Sequence, residues 1–247
     1  NSAPAPFPNG PEESILPDVM KFVVTAPLGH TAPIPAQLVP VPPIAESESI
    51  RQRDLRLAKL PSHANCPDHT EGVWMIDGLM WDDLTEFPRI GTTEIWAWIN
   101  QSPIAHPMHM HLVSFQVLDR QSFVEFGDEV VPFGPKFLPA PFEAGWKDTV
   151  SAPPGMITRV ITRFEGWPGL YPYHCHILEH EDHEMMRQFK LVCPADFNRD
   201  GIVNVPDIFA FLSAFFAGDL EADYTYNGTV FTPDIFAFLA AWFAPCP

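Results

Sequence analysis

The segment at residues 171–189, YPYHCHILEHEDHEMMRQF, constrains the fold more than any other part of the chain, because it concentrates metal-ligating side chains. Its first seven residues are mostly aromatic or hydrophobic, which predicts a β-strand whose side chains alternate between two faces. His174 and His176 then share one face, while Cys175 points to the other. One short segment can therefore serve two metal centres.

The same segment holds most of a blue-copper ligand set. Such a site uses a cysteine thiolate, two imidazoles and a weak axial thioether. Cys175, His180 and Met185 provide three of these four ligands, and Met186 is an alternative thioether. The remaining imidazole has to come from another part of the chain.

A second segment at residues 104–116, IAHPMHMHLVSFQ, offers that imidazole. His109 and His111 lie two residues apart and share a strand face, whereas His106 falls on the opposite face. Each segment therefore places an H-x-H pair on one strand face and blue-copper ligands on the opposite face. Two centres linked through the peptide bonds on either side of Cys175 suit the movement of electrons between them.

The two motifs, H-P-x-H-x-H and H-C-H-x-x-x-H with a methionine ten residues after the cysteine, resemble the signature pair of multicopper oxidases, above all bacterial laccases and bilirubin oxidases. The resemblance covers only the last of that family's three cupredoxin domains. It implies a mainly β fold, a Greek-key cupredoxin β-sandwich. The ligands that it implies for a type 1 copper are His106, Cys175, His180 and Met185. It also implies that His109, His111, His174 and His176 donate to a trinuclear copper cluster that reduces dioxygen to water, with Glu181 as a proton donor.

The resemblance also sets expectations about partners. The trinuclear cluster of this family takes four H-x-H pairs, and the chain carries two. We therefore expect N-terminal cupredoxin domains of the same protein to supply the others, and we interpret residues 1–18 as a proline-rich lead from such a domain. A small reducing substrate, such as a phenol, and dioxygen are the expected reactants. The isolated portion is expected to be inactive as an oxidase.

Three other interpretations stay open. An electron-transfer cupredoxin would keep the blue site without oxidase activity, and an anchoring or binding protein would use the copper domain only as a scaffold. The sequence HILEH at residues 176–180 also fits the H-x-x-E-H pattern of zinc peptidases, which need both histidines on one helix face. That alternative leaves Cys175 and the second histidine segment without a role.

Composition narrows the class of protein. The formal net charge of −17 argues against nucleic acids and anionic membrane surfaces as partners. Twenty-nine prolines favour a β-rich extracellular protein, because proline interrupts helices and central strands. No uninterrupted apolar run reaches eighteen residues, so no membrane span is expected.

The order of elements predicts an all-β sandwich, and the resemblance implies that residues 19–192 form the cupredoxin domain. Between the two histidine segments, residues 121–146 are rich in Phe, Pro and Gly, and we expect a long loop there that caps the type 1 copper. The predicted β-elements are a strand at 19–26, an edge strand at 50–60, a hairpin at 72–80 and strands at 92–100, 114–119 and 156–164.

An internal repeat of 27 residues follows the copper motifs. ADFNRDGIVNVPDIFAFLSAFFA at 195–217 recurs as ADYTYNGTVFTPDIFAFLAAWFA at 222–244, and each copy predicts a loop followed by a helix, at 207–216 and 234–243. The oxygen ligands of the first loop have the spacing of a calcium loop: Asp196, Asn198, Asp200, the Ile202 carbonyl, Asn204 and Asp207. The second loop keeps Asp223, Asn227 and Asp234, with Thr225 as a possible further ligand, so a weak or empty site is expected there.

This duplicated loop and helix resembles type I dockerin modules, which bind cohesins on scaffold or cell-surface proteins. The resemblance implies that residues 193–247 form a calcium-binding module. It would attach the oxidase to a cohesin-like protein in a polysaccharide-degrading or cell-surface assembly. Val205-Pro206 and Thr232-Pro233 stand where relatives often carry a Ser/Thr recognition pair.

The cysteines indicate an oxidising compartment. Cys193 and Cys246 bracket the repeat and predict a disulfide that closes the ends of the module. Cys175 has to remain a thiolate for copper, and Cys66 has no assigned role. We therefore expect the protein to be secreted, periplasmic or located at the cell surface.

Overall fold

The computed structural model describes residues 39–61 and 72–246, together with Val23 and Gly29. The lead at 1–18, nearly all of the strand expected at 19–26, and Cys66 lie outside the described residues. Among the described residues, no helix has the length and apolar character needed to cross a bilayer.

The copper motifs lie in a sandwich of two sheets. The strands of the first sheet are β1 Arg51–Leu60, β2 Val73–Ile76, β3 Thr93–Asn100, β5 Phe115–Phe126, β6 Glu129–Phe137 and β8 Met156–Arg163. Those of the second are β4 His106–Met110, β7 Thr149–Ala152, β9 Gly169–Cys175 and β10 Met186–Leu191. The strand orders are β2-β1-β3-β8-β5-β6 and β10-β9-β4-β7.

Strand register brings the two histidine segments together. β4 pairs antiparallel with β9, so that Met108 lies opposite Cys175 and His109 lies opposite His174. β9 also pairs with β10, which places Met186 opposite His174. Residues that are more than sixty positions apart in the sequence therefore become neighbours on adjacent strands.

Large aromatic side chains fill the space between the sheets. Trp96, Trp98 and Tyr173 are fully buried, and the ring of Trp96 lies edge-on to the ring of Tyr173 with their centroids 5.1 Å apart. Such pairs add to the free energy gained from burying the rings themselves. The prediction of a mainly β, two-sheet sandwich is confirmed.

Two expectations about the sheets are wrong. β1 is not an edge strand, because β2 pairs with it on one side and β3 on the other. Residues 121–146 are not one long loop: β5 runs on to Phe126 and pairs with β6 through a turn that contains Gly127 at φ +63°. Pro132 and Pro135 lie in β6, where the missing N–H groups are tolerated because β6 is an edge strand.

The C-terminal repeat forms two helices, as its sequence predicts. α2 spans Val205–Ala217 and α3 spans Thr232–Phe243, each starting slightly before the predicted boundary because a proline occupies the first turn. The rings of Phe211 and Phe238 stack with centroids 4.1 Å apart, which joins the two helices. The predicted disulfide between Cys193 and Cys246 is present. A short helix, α1 Leu178–Glu181, follows β9 in the sandwich.

Candidate metal sites

Three buried side chains form a triangle of metal-ligating atoms. The Nδ1 atoms of His106 and His180 are 3.2 Å apart, and each lies 3.6 Å from Sγ of Cys175. The point equidistant from three atoms at these separations is about 2.0 Å from each, which is close to a metal–imidazole bond length. The site can therefore accept one metal ion without rearrangement.

Three different elements supply this triangle. His106 begins β4, Cys175 ends β9, and His180 lies in α1. Two backbone hydrogen bonds hold Met185 between His180 and Cys175. The N–H of Met185 donates to the carbonyl of His180, and the N–H of Cys175 donates to the carbonyl of Met185. Met185 is fully buried in the core cluster that contains Cys175, whereas Met186 is half-buried, so the geometry favours Met185 as the axial thioether.

Burial keeps the triangle neutral. It lowers the pKa of His106 to about 3, with a further contribution from His180, and lowers the pKa of His180 to about 4. Burial also raises the pKa of the Cys175 thiol to about 12, although a hydrogen bond from the N–H of Ile177 opposes this shift. A bound cation would supply the positive charge that stabilises the thiolate.

The groups that support this triangle carry no signal in the sequence. Nε2 of His106 lies 2.7 Å from Oγ of Ser102, which donates to the side-chain carbonyl of Asn100. The ring of Trp74 lies against the ring of His180 with centroids 4.3 Å apart. The first contact fixes the tautomer in which Nδ1 of His106 is free for a metal, and the second shields His180 from water.

The H-x-H pairs form a second group next to the triangle, in which His111 and His176 are exposed, His109 is half-buried and His174 is buried. Nε2 of His111 lies 3.3 Å from Nε2 of His174, and these two residues form a candidate metal group with His109. Nδ1 of His109 donates to the carbonyl of Asp148 at 2.8 Å, which leaves Nε2 free. The exposed ring of His176 lies 5.5 Å from that of His174 and 5.6 Å from that of His109, measured between centroids.

The two groups are joined at Cys175. A peptide bond links His174 to Cys175, and Nδ1 of His174 also donates to the carbonyl of Cys175 at 2.9 Å. Nε2 of His174 is therefore free to bind a metal. The carboxylate of Glu181 lies 3.4 Å from the same Nδ1 atom and is partly exposed. The arrangement provides a short covalent path between the groups and an acid beside the second one.

Comparison with known proteins identifies the family. The family model described as multicopper oxidase matches residues 60–192, which is more than half of the chain. The chain belongs to the multicopper oxidase family. The sandwich is accordingly a cupredoxin domain of a multicopper oxidase, and copper is the metal that the family binds.

The multicopper oxidase relatives are longer than this chain. A laccase of Bacillus subtilis (strain 168) is 39% identical over 184 residues, which cover 72% of this chain and 35% of the laccase. The multicopper oxidase LPR1 homolog 1 of Oryza sativa subsp. japonica is 33% identical over 224 residues, covering 78% of this chain and 38% of that protein. A solved multi-copper oxidase from Pediococcus acidilactici matches with a TM-score of 0.51 and 27% identity over 66% of this chain and 30% of that one. The chain spans about a third of the length of these curated relatives.

The zinc alternative is wrong for this multicopper oxidase domain, and the part of residues 121–146 that forms the β5–β6 hairpin lies away from the triangle. A zinc site on one helix face is not formed, because His176 precedes α1 and lies with the surface histidines, whereas His180 lies in the buried triangle. The β5–β6 hairpin does not cap the triangle. Trp74, which covers His180, belongs to β2, and β6 is at the opposite edge of that sheet.

In the first calcium-type loop, two oxygen atoms lack hydrogen-bond partners. The loop closes on its own backbone: Asp207 accepts from the N–H groups of Asn198 and Asn204, and Asp196 accepts from the N–H of Gly201 through Oδ2. Among the described residues, the buried Oδ1 atoms of Asp196 and Asn204 have no donor. Because a buried oxygen without a partner is unfavourable, these atoms fit a loop built to hold a cation.

The second loop differs in the same two positions. Both oxygens of Asp223 accept hydrogen bonds, Oδ1 from Thr225 and Asn227 and Oδ2 from the N–H of Gly228. Oδ1 of Asp234 accepts from both the N–H and the hydroxyl of Thr225. Phe231 replaces the residue that corresponds to Asn204. Hydrogen bonds within the protein thus satisfy the oxygens that a cation would need.

Proposed function

We propose that this domain is the C-terminal copper-binding part of a laccase-like oxidase, which takes single electrons from phenols or similar reductants and reduces dioxygen to water. The observation that carries the proposal is the buried triangle of His106, Cys175 and His180, one peptide bond from a surface group of histidines. Copper, when bound, supplies the one-electron chemistry. The side chains of the domain hold it, exclude water from one centre and expose the other.

Each group in the site has a distinct role in this proposal. His106, Cys175, His180 and Met185 would hold the type 1 copper in a dry, neutral pocket. The covalent path from Cys175 to His174 and His176 would conduct electrons towards the second centre. Glu181, beside Nδ1 of His174, would hold a proton and donate it on the side where dioxygen is reduced.

The surface histidines would form one half of a trinuclear cluster. His111 and His176 are exposed and His109 is half-buried, which leaves their faces available to another domain. We infer that an N-terminal cupredoxin domain of the same protein supplies the remaining H-x-H pairs. This chain by itself would then bind the type 1 copper without oxidase turnover.

Copper loading tests the first part of the proposal. With Cu(II), we expect the chain to develop the intense blue absorption of a cysteine-ligated copper, and Cys175→Ser to abolish it. Met185→Leu should change the spectrum and the reduction potential, whereas the matched variant Met186→Leu should change neither. A colourless copper-loaded protein, or blue colour that survives Cys175→Ser, contradicts the assignment.

The oxidase proposal is tested on the protein joined to its preceding domains. We expect further copper beyond the blue one and dioxygen uptake with a phenolic reductant, both lost in His174→Ala. A protein that keeps its blue copper, binds no more and consumes no dioxygen would be an electron-transfer cupredoxin instead.

We further propose that the repeat binds calcium in its first loop and attaches the protein to a cohesin-like partner outside the cell. The unpartnered oxygens of Asp196 and Asn204 support calcium at the first loop, with further ligands from Asn198, Asp200, the Ile202 carbonyl and Asp207. The internal hydrogen bonds of Asp223 and Asp234 support a weak or empty second loop. Exposed phenylalanines that recur in both helices, Phe209 with Phe236 and Phe216 with Phe243, would form the surface for the partner.

Calcium titration by calorimetry tests this second part. We expect one strong site, lost in Asp196→Ala and kept in Asp223→Ala, its counterpart in the second loop. Calcium-dependent capture by an immobilised cohesin domain would support attachment. Equal loss of binding in both variants would contradict the asymmetry between the loops.

A further inference from the structure

One acidic side chain of the repeat, Glu221, forms ion pairs with arginines of the copper domain and of the repeat itself. Glu221 lies in the turn between α2 and α3, and three arginines surround it: Arg51 of β1, Arg89 before β3, and Arg199 of the first calcium loop. The shortest N–O distances are 3.1 Å to Arg51 and 2.8 Å to Arg199, and Arg89 also donates to the Glu221 carbonyl at 2.8 Å. We call these four residues the Glu221 junction.

The junction is partly buried, which strengthens its ion pairs. Burial alone would raise the pKa of Glu221, but Arg51, Arg199 and Arg89 more than offset this effect and hold the pKa below its usual range. The Arg89 guanidinium also lies over the ring of Tyr224, 4.1 Å from its centroid. Tyr224 belongs to the repeat, so Arg89 contacts the repeat through both charge and ring stacking.

Arg199 connects the junction to the calcium loop. It stands between Asn198 and Asp200, two of the proposed ligands, with a backbone φ of +65°. Its guanidinium lies 4.1 Å from the ring centroid of Phe87 in the copper domain, and its carbonyl accepts a hydrogen bond from Lys190 of β10. The position of this residue therefore depends on how the loop closes.

The contacts of Arg89 and Arg199 extend to β10, which pairs with β9, the strand that ends at Cys175. Phe87 and Arg89 belong to a segment that pairs with the end of β10, where the N–H of Lys190 donates to the carbonyl of Glu86. β10 begins at Met186, which lies opposite His174 and directly follows Met185. Closure of the loop can thus restrain β10 and β1, one from each sheet of the sandwich.

From this connection we propose that calcium in the first loop stabilises the copper-binding sandwich itself, through Arg199 and the Glu221 junction. The inference rests on the calcium site proposed above and gives that site a structural role inside this chain, in addition to any role in attachment. Calcium would order the loop and so fix the position of Arg199. Arg199 would then hold Glu221, Phe87 and Lys190 in place through its contacts with them. Unfolding the sandwich would then also release calcium, so calcium opposes that unfolding.

Hydrogen–deuterium exchange on the full chain tests this coupling. With saturating calcium, we expect exchange in peptides from β1 and β10 to slow by about tenfold, and the unfolding midpoint to rise by about 5 °C. Glu221→Gln and Arg199→Asn break the connection from opposite sides; asparagine is chosen because it tolerates positive φ. Both variants should still bind calcium, but slower exchange should then be confined to residues 193–246.

The controls separate this inference from the calcium proposal. Arg163→Gln removes a surface ion pair with Glu48 elsewhere on the sandwich and should leave the calcium effect intact. Calcium binding without slower exchange in β1 and β10 of the unaltered chain would overturn the coupling and leave the calcium site standing. Full protection in Glu221→Gln and Arg199→Asn would also overturn it, and a chain that binds no calcium would remove both proposals.

Discussion

At the scale of single residues, burial controls the chemistry of the triangle of His106, Cys175 and His180. The pKa of His106 is lowered to about 3 and that of His180 to about 4, so both imidazoles are neutral and ready to bind a metal over most of the pH range. Cys175 differs, because burial raises its pKa to about 12 and keeps it protonated until a metal arrives. The cysteine is therefore the one ligand of the three that has to lose a proton.

Copper uptake should consequently release about one proton per type 1 copper at neutral pH. The proton comes from Cys175, so apparent copper affinity should rise about tenfold per pH unit from pH 6 to pH 9. Calorimetry in buffers of different ionisation enthalpy measures the release. Cys175→Ser should release none, and a pH-independent affinity in the unaltered chain would contradict the protonated thiol.

The low pKa of His180 should depend on Trp74. Burial is the main cause of the shift, and the indole ring covers the imidazole, so Trp74→Ala should raise the pKa of His180 towards its usual value of 6.5. NMR titration of the copper-free protein measures it. Trp81→Ala, which removes a tryptophan on the neighbouring surface, serves as the control. An unchanged His180 pKa in Trp74→Ala would show that other groups exclude the water.

At the scale of elements, the connection between β3 and β4 positions the first copper ligand. Asn100 ends β3 and is fully buried. Its amide nitrogen donates to the carbonyls of Ile104 and Ala152, and its oxygen accepts from the N–H and hydroxyl of Ser102. Ser102 in turn contacts His106. A buried hydrogen-bond network thus fixes this short loop and the imidazole at its end.

Asn100→Ala should destabilise the sandwich by at least about 3 kcal/mol, because it leaves several buried donors and acceptors without partners. Ser102→Ala should cost only about 1 kcal/mol, but it should shift the type 1 copper spectrum, since Nε2 of His106 loses its partner. Urea unfolding and absorption spectra measure the two effects. Gln101→Ala, at the exposed position between them, is the control, and an equal loss there would contradict the network.

At the scale of the whole molecule, electrostatic contacts join the repeat to the sandwich. The chain carries a net charge of −17, yet three of its few arginines gather around Glu221. Each arginine comes from a different part of the chain, in β1, before β3 and in the first loop of the repeat. Protonation of Glu221 would therefore weaken all three of these ion pairs at once.

The contribution of the Glu221 junction to stability should be lost in acid. The folded-state pKa of Glu221 lies below its usual value of 4.5, so the stabilisation is fully present above pH 4.5 and disappears as the pH falls through the folded-state value. The unfolding midpoints of the unaltered chain and Glu221→Gln should differ at pH 7 and converge at lower pH. Arg163→Gln again provides the comparison, and a difference that persists in strong acid would contradict the assignment.

Local spacing along the chain predicted the ligand pattern and the repeat. Side chains alternate along any strand, so the spacing of His174, Cys175 and His176 was enough to separate the buried centre from the surface group. In the same way, the spacing of oxygen-bearing side chains in the repeat predicted the two loops, and the period of 27 residues predicted the two helices. These features follow from local backbone geometry and covalent connectivity, which the sequence contains directly.

The other groups that act on those ligands are known only from the packing of the folded chain. Trp74 covers His180 because packing of the sheets brings β2 there, and Ser102 contacts His106 because the buried side chain of Asn100 holds the loop between β3 and β4. Neither contact carries a sequence signal. Folding also replaced an expected loop with the β5–β6 hairpin and gathered three arginines around Glu221. The physical reason is that packing between remote segments depends on the relative positions of whole strands and helices, which local spacing does not contain.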